Sequence, residues 1–176
     1  MKNITFLLAV FFLTNYATIQ AQQTINQEKS EINFHITGGG IFKVKGTFTG
    51  MQGDFILNTS ALENASFNIC VDATTINTKN KKRDAHLRNS DFFDVEKYPE
   101  ICFISSAVTK TKNGYNTIGN LTIHGVTKEV EIPFTFSKNT FDGNLIINRF
   151  DYNLGEEFGT MRVGTEATVH ITCKIN

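Results

Sequence analysis

The chain has 176 residues, and its 17 lysines and arginines are balanced by 17 aspartates and glutamates. A neutral chain without clustered positive charge is a poor partner for a phosphate backbone, which argues against nucleic-acid binding. The length is typical of one domain with one continuous core.

The N-terminus has the pattern of a secretory signal peptide. Lys2 precedes a continuous apolar run over residues 4–13, and Ala21 is a small residue at a suitable cleavage position. The run is shorter than the roughly 20 apolar residues of a transmembrane helix, and no cysteine lies near the cut to carry a lipid anchor. We therefore predict a signal peptide over residues 1–21 and one exported domain over residues 22–176.

After the signal peptide, polar and apolar residues alternate with the period of β-strands. Ile32, Phe34 and Ile36 share one face of the first segment, and the alternation resumes over residues 42–49 after three glycines. Strict period two indicates a sheet with one buried face. Further strands are predicted at residues 54–57, 65–76, 101–105, 115–123, 128–136, 141–153 and 165–174. Short strands at this spacing are typical of an all-β sandwich or barrel.

One segment lacks the alternation. Residues 80–90 are charged and rich in helix formers, which predicts a short helix on a long connection. We interpret the basic run at residues 79–83 as a solvated helix start, with a contact for an anionic head group as the alternative. Phe92 and Phe93 are predicted to pack into the core after the helix, and Pro99 restarts an extended chain.

Periodicity does not separate a sandwich from a barrel, because both bury alternate residues. The inward-facing set is rich in phenylalanine and branched aliphatic residues over many strands. Glycines such as Gly46 and Gly119 lie inside strands, where barrel corners require bends. These two features favour an antiparallel barrel.

Three cysteines, Cys70, Cys102 and Cys173, follow the signal peptide. An odd number permits one disulfide and one free thiol without specifying either, so three buried or half-buried thiols are the default expectation. The sequence has no clustered Cys/His spacing of a metal site and no recognisable catalytic motif. We therefore predict no metal, no cofactor and no catalytic residues.

Two long motifs resemble those of a known family. Residues 83–99 (RDAHLRNSDFFDVEKYP) and residues 119–128 (GNLTIHGVTK) are similar to the two hallmark motifs of the YceI-like family. Val44, Gly46 and Phe48 are similar to its opening hairpin. The resemblance implies a lipocalin-like antiparallel β-barrel of about eight strands, exported by bacteria to the periplasm or beyond. It also implies an interior that holds a long isoprenoid chain, such as a polyprenyl phosphate or a quinone tail.

On this resemblance, alternate apolar residues of the strands are predicted to line a ligand tunnel, with simple filling of the barrel as the alternative. The predicted lining residues are Phe34, Ile36, Phe42, Val44, Phe48, Phe67, Ile69, Val71, Phe103, Leu121, Ile132 and Phe134. Arg83, His86 and Arg88 are candidates for a head-group contact, because arginine forks match phosphate oxygens. The alternative, which we favour, is that this helix motif fastens the helix to the barrel rim.

The sequence thus predicts an exported protein that holds an isoprenoid lipid for carriage, storage or stress protection and performs no chemistry on it. A transient membrane contact fits this function, and the oligomeric state, including a dimer, stays open. One alternative is a surface interaction or stress-response protein with a filled barrel. Another is an enzyme with Arg149 or Asp151 pointing inward, although a salt bridge at the rim is the favoured interpretation of that pair.

Overall fold

The computed structural model describes residues 23–176, and the predicted signal peptide lies outside them. The described chain forms one curled, antiparallel sheet with a single α-helix, α1 (Lys81–Arg88). The expected all-β barrel is therefore confirmed, with nine strands in place of about eight. The strands are β1 (Glu31–Gly38), β2 (Phe42–Phe48), β3 (Gln52–Ile56), β4 (Ser66–Asp72), β5 (Glu100–Thr111), β6 (Gly114–Ile123), β7 (Val126–Ser137), β8 (Thr140–Asn148) and β9 (Val163–Lys174).

The barrel is closed by packing at one seam. The strand order is β2-β1-β9-β8-β7-β6-β5-β4-β3, so β2 and β3 follow each other in the chain but form the two edges of the sheet. Met51 lies between these edge strands and is completely buried. The N-terminal segment adds isolated bridges from Gln23 to Phe55 in β3 and from Ile25 to Ile175 after β9. The buried Met51 side chain and these isolated bridges therefore take the place of a continuous hydrogen-bonded ladder between β2 and β3.

The alternation of the sequence corresponds to the two faces of the sheet. In β4, Phe67 and Val71 are buried, whereas Ser66 and Asn68 are exposed. In β7, Ile132 is buried and pairs with Thr117 of β6, which is also buried. Each fully buried large apolar side chain contributes about 1.5–3 kcal/mol, so a one-residue shift of register would expose the core of a strand.

Gly119 illustrates why the predicted bends need glycine. It pairs with Ser105 beside the irregularity between Ser105 and Ala107, where the register of β5 on β6 shifts. A Cβ atom at Gly119 would lie 2.3 Å from the carbonyl oxygen of Ile104. The two strands approach too closely there for any side chain, as expected at a bend.

Two predicted strands are longer than those observed. β4 ends at Asp72, whose carboxylate accepts a hydrogen bond from the backbone N–H of Thr74 and begins a 3₁₀ turn. β8 ends at Asn148, whose side chain accepts from the N–H of Phe150 and begins the 3₁₀ helix Arg149–Tyr152. Short polar side chains compete with the strand ladder in this way. The period-two pattern does not reveal this competition, so it does not predict where the two strands end.

The helix forms where the sequence predicts it. The side chain of Asn80 accepts a hydrogen bond from the N–H of Arg83 and caps the first turn. Lys79, Lys81 and Lys82 are exposed, as expected for a solvated helix start. Within residues 23–176, no helix has the length and apolar character needed to cross a bilayer.

The cysteines differ from the default expectation of three thiols. Cys70 in β4 and Cys102 in β5 lie directly opposite each other and form a disulfide. Cys173 is a free, buried thiol, and burial raises its pKa to about 12 although a hydrogen bond with Ser30 opposes the shift. The correction depends on the β4–β5 register, which cysteine spacing does not reveal.

Candidate functional site

The barrel encloses an apolar cavity of about 670 Å³, to which every strand contributes at least one side chain. This volume lies within the usual range of small-molecule sites. Eleven of the twelve side chains that the sequence predicts at a ligand tunnel line this cavity. They are Phe34, Ile36, Phe42, Val44, Phe48, Phe67, Ile69, Val71, Phe103, Leu121 and Ile132. Their contact with a ligand stays a prediction, whereas their position around one cavity is a feature of the fold.

The twelfth residue, Phe134, does not line the cavity. Its ring stacks on Phe141 at a centroid distance of 4.3 Å and on Tyr115 at 5.3 Å, within an aromatic cluster that also contains Phe67. Phe134 faces inward as its parity requires, but it packs against these rings and not against the cavity. Phe134 therefore packs in the core beside the cavity, and its contact with a ligand stays a prediction.

Several cavity residues outside the predicted set also follow the period of two. Leu145 and Ile147 lie two positions apart in β8, and Val169 and Ile171 in β9 alternate with polar residues. All four line the cavity. Period two places each pair on one face of its strand, whereas Met51 lies in a connection and carries no such pattern.

One end of the cavity forms an open mouth, bordered by three separate parts of the chain. Phe42 comes from the β1–β2 hairpin, Arg83 and His86 come from α1, and Phe158 and Arg162 come from the loop between β8 and β9. Phe42 is 69% exposed although it lines the cavity, and Arg162 is also exposed. The mouth therefore combines apolar and cationic side chains.

Aromatic contacts hold two parts of the mouth together. The Phe92 and Phe158 rings stack at 5.2 Å, and the His86 ring meets each of them edge-on at 5.2 Å. His86 Nε2 also lies 3.1 Å from Asp91 Oδ2. Phe92 is buried, as predicted, yet it lines the cavity near its mouth. The β8–β9 loop is thus attached to the helix region by side-chain packing.

The three candidate head-group residues have different surroundings. Arg83 lines the cavity, but its Nε donates to Thr78 Oγ1 at 2.7 Å and its Nη2 to the Thr78 carbonyl at 3.0 Å. His86 lines the cavity beside Asp91. Arg83 thus links the helix to the preceding connection through Thr78 and also lies at the mouth of the cavity.

Arg88 does not line the cavity. Its Nε donates to the Thr74 carbonyl at 2.8 Å and its Nη2 to the Ile76 carbonyl at 2.7 Å. These bonds fasten the helix to the preceding connection, and a head-group contact of Arg88 stays a prediction. Arg162 is a further cation at the mouth, and its position in an irregular loop gives no periodic pattern in the sequence.

Arg149 is the most buried charged side chain at the cavity, with 3% of its surface exposed. All its guanidinium nitrogens donate to backbone carbonyls, at distances of 2.5–3.3 Å. The acceptors are Leu154, Gly155, Phe158, Val163 and Gly164. Burial lowers the pKa of Arg149, but a guanidinium remains charged in proteins. The favoured expectation of a rim salt bridge with Asp151 was wrong, because the loop carbonyls bind the charge instead.

Asp84 fixes the start of α1 to the preceding connection. Its Oδ1 accepts from the Thr78 N–H at 2.8 Å and from the Thr78 hydroxyl, and only 8% of the residue is exposed. Burial raises the pKa of Asp84, but the two Thr78 hydrogen bonds and the charges of Arg88 and Arg83 outweigh it, so the pKa lies below its usual value of 3.8. The ionised carboxylate therefore stabilises the helix region.

Replacement of Asp84 by asparagine is expected to lower the free energy of unfolding by about 1–3 kcal/mol, because it removes charge-assisted hydrogen bonds. A group with a lowered folded pKa stabilises the protein fully above its unfolded pKa and loses that contribution as pH falls through the folded pKa. Chemical denaturation at a series of pH values should therefore show that the wild-type free energy of unfolding decreases once the pH drops below 3.8, the usual pKa of this carboxyl group. The Asp84→Asn variant should fall less steeply, and parallel curves would contradict the assignment.

Fold and cavity together define a lipocalin-like class: an antiparallel barrel with an interior site for an apolar molecule. Residues 23–175 match the profile of the YceI-like domain. The chain belongs to this family.

Curated relatives agree with the family match. A UPF0312 protein of Yersinia enterocolitica is 30% identical over 169 residues, which cover 95% of this chain and 81% of the relative. A UPF0312 protein of Vibrio parahaemolyticus is 36% identical over 108 residues, which cover 61% of this chain and 57% of the relative. The matched part thus spans just over half the length of the Vibrio protein.

Solved structures extend the similarity to three dimensions. BcnA of Burkholderia cenocepacia has a TM-score of 0.76 at 26% identity, over 85% of this chain and 98% of that one. The YCEI protein of Campylobacter jejuni has a TM-score of 0.67 at 25% identity, over 77% of this chain and 86% of that one. A polyisoprenoid-binding domain from Saccharophagus degradans has a TM-score of 0.65 at 16% identity, over 86% of this chain and 95% of that one. That last likeness concerns the fold alone.

Proposed function

We propose that this protein is an exported, periplasmic or secreted binding protein that holds the apolar chain of an isoprenoid lipid inside its barrel. The observation that carries the proposal is the cavity of about 670 Å³, lined almost throughout by aliphatic and aromatic side chains and open at one end. The description of the Saccharophagus degradans domain as polyisoprenoid-binding supports the same ligand class. Export rests on the signal-peptide pattern of residues 1–21.

The energetics favour an occupied cavity. Each methylene transferred from water contributes about 0.8 kcal/mol, so one five-carbon isoprenoid unit offers about 3–4 kcal/mol before the entropy of binding is subtracted. Water that enters through the open end finds few polar partners in the lining, so an apolar chain displaces it favourably.

The ionisable side chains at the cavity favour a binding protein over an enzyme. Arg149 donates to loop carbonyls through all three guanidinium nitrogens, and His86 is paired with Asp91. Neither residue has the partner arrangement of a nucleophile and its base. Within residues 23–176, the one cluster with metal-like geometry contains Cys70 and Cys102, whose sulfurs are bonded to each other.

A phosphate head group would be held at the mouth. Arg83, His86 and Arg162 line the cavity there, and the N–H groups of guanidinium and imidazole side chains suit phosphate oxygens. The tail would then extend from the mouth toward the aromatic cluster around Phe134. The alternative of a filled barrel, with its function in the loops, is less consistent with a cavity of this volume.

A cavity-filling substitution tests the binding site. Ile69 in β4 lines the cavity, so Ile69→Trp is expected to weaken binding of a fluorescent short-chain polyprenyl phosphate at least about tenfold, the equivalent of roughly two displaced methylenes. Fluorescence titration of the purified protein measures the affinity, and circular dichroism verifies the fold.

The matched control for this substitution is Asn68→Trp, which alters the neighbouring residue on the exposed face of the same strand. This variant should bind like the wild type. Equal affinities for both tryptophan variants, with both folded, would place the ligand outside the cavity and refute the proposed function.

A further inference from the structure

Three exposed hydrophobic side chains gather at the mouth of the cavity. Ile41 is 79% exposed, Phe42 is 69% exposed and Met161 is 86% exposed. Among the described residues, the other large exposed hydrophobics are Ile104 and Ile146, which lie singly on β5 and β8. Isolated exposed hydrophobics are ordinary in soluble proteins, whereas a group of them marks an interaction site.

The three side chains belong to one surface, because the two loops that carry them are joined. Gly38, at the end of β1, pairs with Val163 of β9. The N–H of Gly39 donates to the carbonyl of Arg162 at 2.9 Å. Ile41 and Phe42 follow this junction on one side, and Met161 precedes it on the other. We call this surface, formed by Ile41, Phe42 and Met161, the apolar tip.

The apolar tip is continuous with the cavity. Phe42 belongs to the tip and also lines the cavity, and so do Gly39 and Arg162 beside it. A molecule leaving the cavity past Phe42 would therefore meet the apolar tip before bulk water. The tip extends the apolar lining to the outside of the protein.

We propose that the apolar tip inserts into the interface of a lipid bilayer and docks the cavity mouth on the membrane. This inference rests on the proposed function, because an isoprenoid ligand of the cavity resides in bilayers. Docking would let the lipid pass between membrane and barrel without exposing its full length to water, which otherwise costs about 0.8 kcal/mol per methylene. Aromatic and long aliphatic side chains are those that enter the bilayer interface.

The charge around the tip indicates insertion rather than electrostatic adhesion. Lys43, Lys45 and Arg162 are offset by Glu156, Glu157 and Glu166 in the same two segments. Binding should therefore occur on zwitterionic phosphatidylcholine vesicles and differ little between low and high salt. A stable protein interface buries roughly 800 Å² and about 20–30 residues per partner. The apolar tip has only three residues, which favours a bilayer over a second copy of the chain.

The test compares the rate of transfer with the extent of loading. The double variant Ile41→Asp/Met161→Asp places charges at the tip without altering a residue that lines the cavity. With phosphatidylcholine vesicles carrying a fluorescent polyprenyl phosphate, its rate of lipid uptake should be at least about tenfold lower than that of the wild type. Its equilibrium binding of the same probe, added without vesicles, should be unchanged.

Ile104→Asp is the matched control, since Ile104 is a 53% exposed isoleucine on the outer wall of β5. It should take up lipid as fast as the wild type. Equal uptake by the double variant and this control, with loading intact, would overturn the docking proposal. A wild-type dimer that the double variant loses, with uptake unchanged, would assign the tip to a second copy and also overturn it. Failure of the wild-type protein itself to load would instead refute the proposed function.

Discussion

Replacement of Arg149 by methionine is expected to lower the free energy of unfolding by about 3–5 kcal/mol, because it leaves several buried carbonyls without a donor. The guanidinium donates to Leu154, Gly155, Phe158 and the first residues of β9. Methionine preserves most of the apolar volume of the side chain and removes every donor. The β8–β9 loop, which carries Phe158 to the mouth of the cavity, should lose its attachment as well.

Urea denaturation measures the loss, and hydrogen exchange over residues 154–163 reports the loop. Arg162→Met is the matched control, because Arg162 is exposed and its replacement should change stability by less than about 0.5 kcal/mol. Arg149→Lys retains the charge with three donors and should lie between the wild type and Arg149→Met. An Arg149→Met protein as stable as the control variant would contradict the structural role of the guanidinium.

Loss of the Cys70–Cys102 disulfide is expected to lower the free energy of unfolding by about 3–4 kcal/mol. The bond joins residues 32 positions apart and restricts the unfolded chain accordingly. It also fixes β4 on β5 near the mouth end of the barrel, where Asp72 pairs with Glu100. The double variant Cys70→Ser/Cys102→Ser removes it while retaining two small polar side chains.

A reductant provides the internal control for this prediction. Dithiothreitol should shift the denaturation midpoint of the wild-type protein toward that of the double variant and leave the double variant unchanged. Iodoacetamide should not modify the folded, unreduced protein, because Cys173 is buried and its pKa is raised to about 12. Coincident midpoints with and without reductant would show that the cross-link contributes nothing.

Most of the fold was predictable from the sequence because the local patterns of its segments agree with one another. Alternation in β1, β4 and β7 assigned the correct residues to the interior, since side chains in a strand point to opposite faces with a period of two. The helix at Lys81–Arg88 was predictable from its charged, helix-forming composition. Eleven of the predicted lining residues follow from the same parity, because the interior of a barrel contains both the core and the cavity.

The features that the sequence did not predict depend on contacts between residues distant in the sequence, or on the position of a residue along the barrel axis. Phe134 has the same parity as Ile132, but only the tertiary structure places it beside Phe141, beyond the cavity. Cys70 and Cys102 become neighbours through the register of β4 on β5. The acceptors of Arg149 are backbone carbonyls, which have no identifying side chain. No periodic pattern in the sequence encodes these three relations.

The most direct test of the lipid-binding function is mass spectrometry of an organic extract of the mature protein, exported by a bacterial host and purified without detergent. The proposed function predicts an isoprenoid lipid at a stoichiometry close to one per chain, reduced in the Ile69→Trp variant and retained in Asn68→Trp. An extract without lipid, from a protein that also fails to bind added polyprenyl phosphates and quinones, would contradict it.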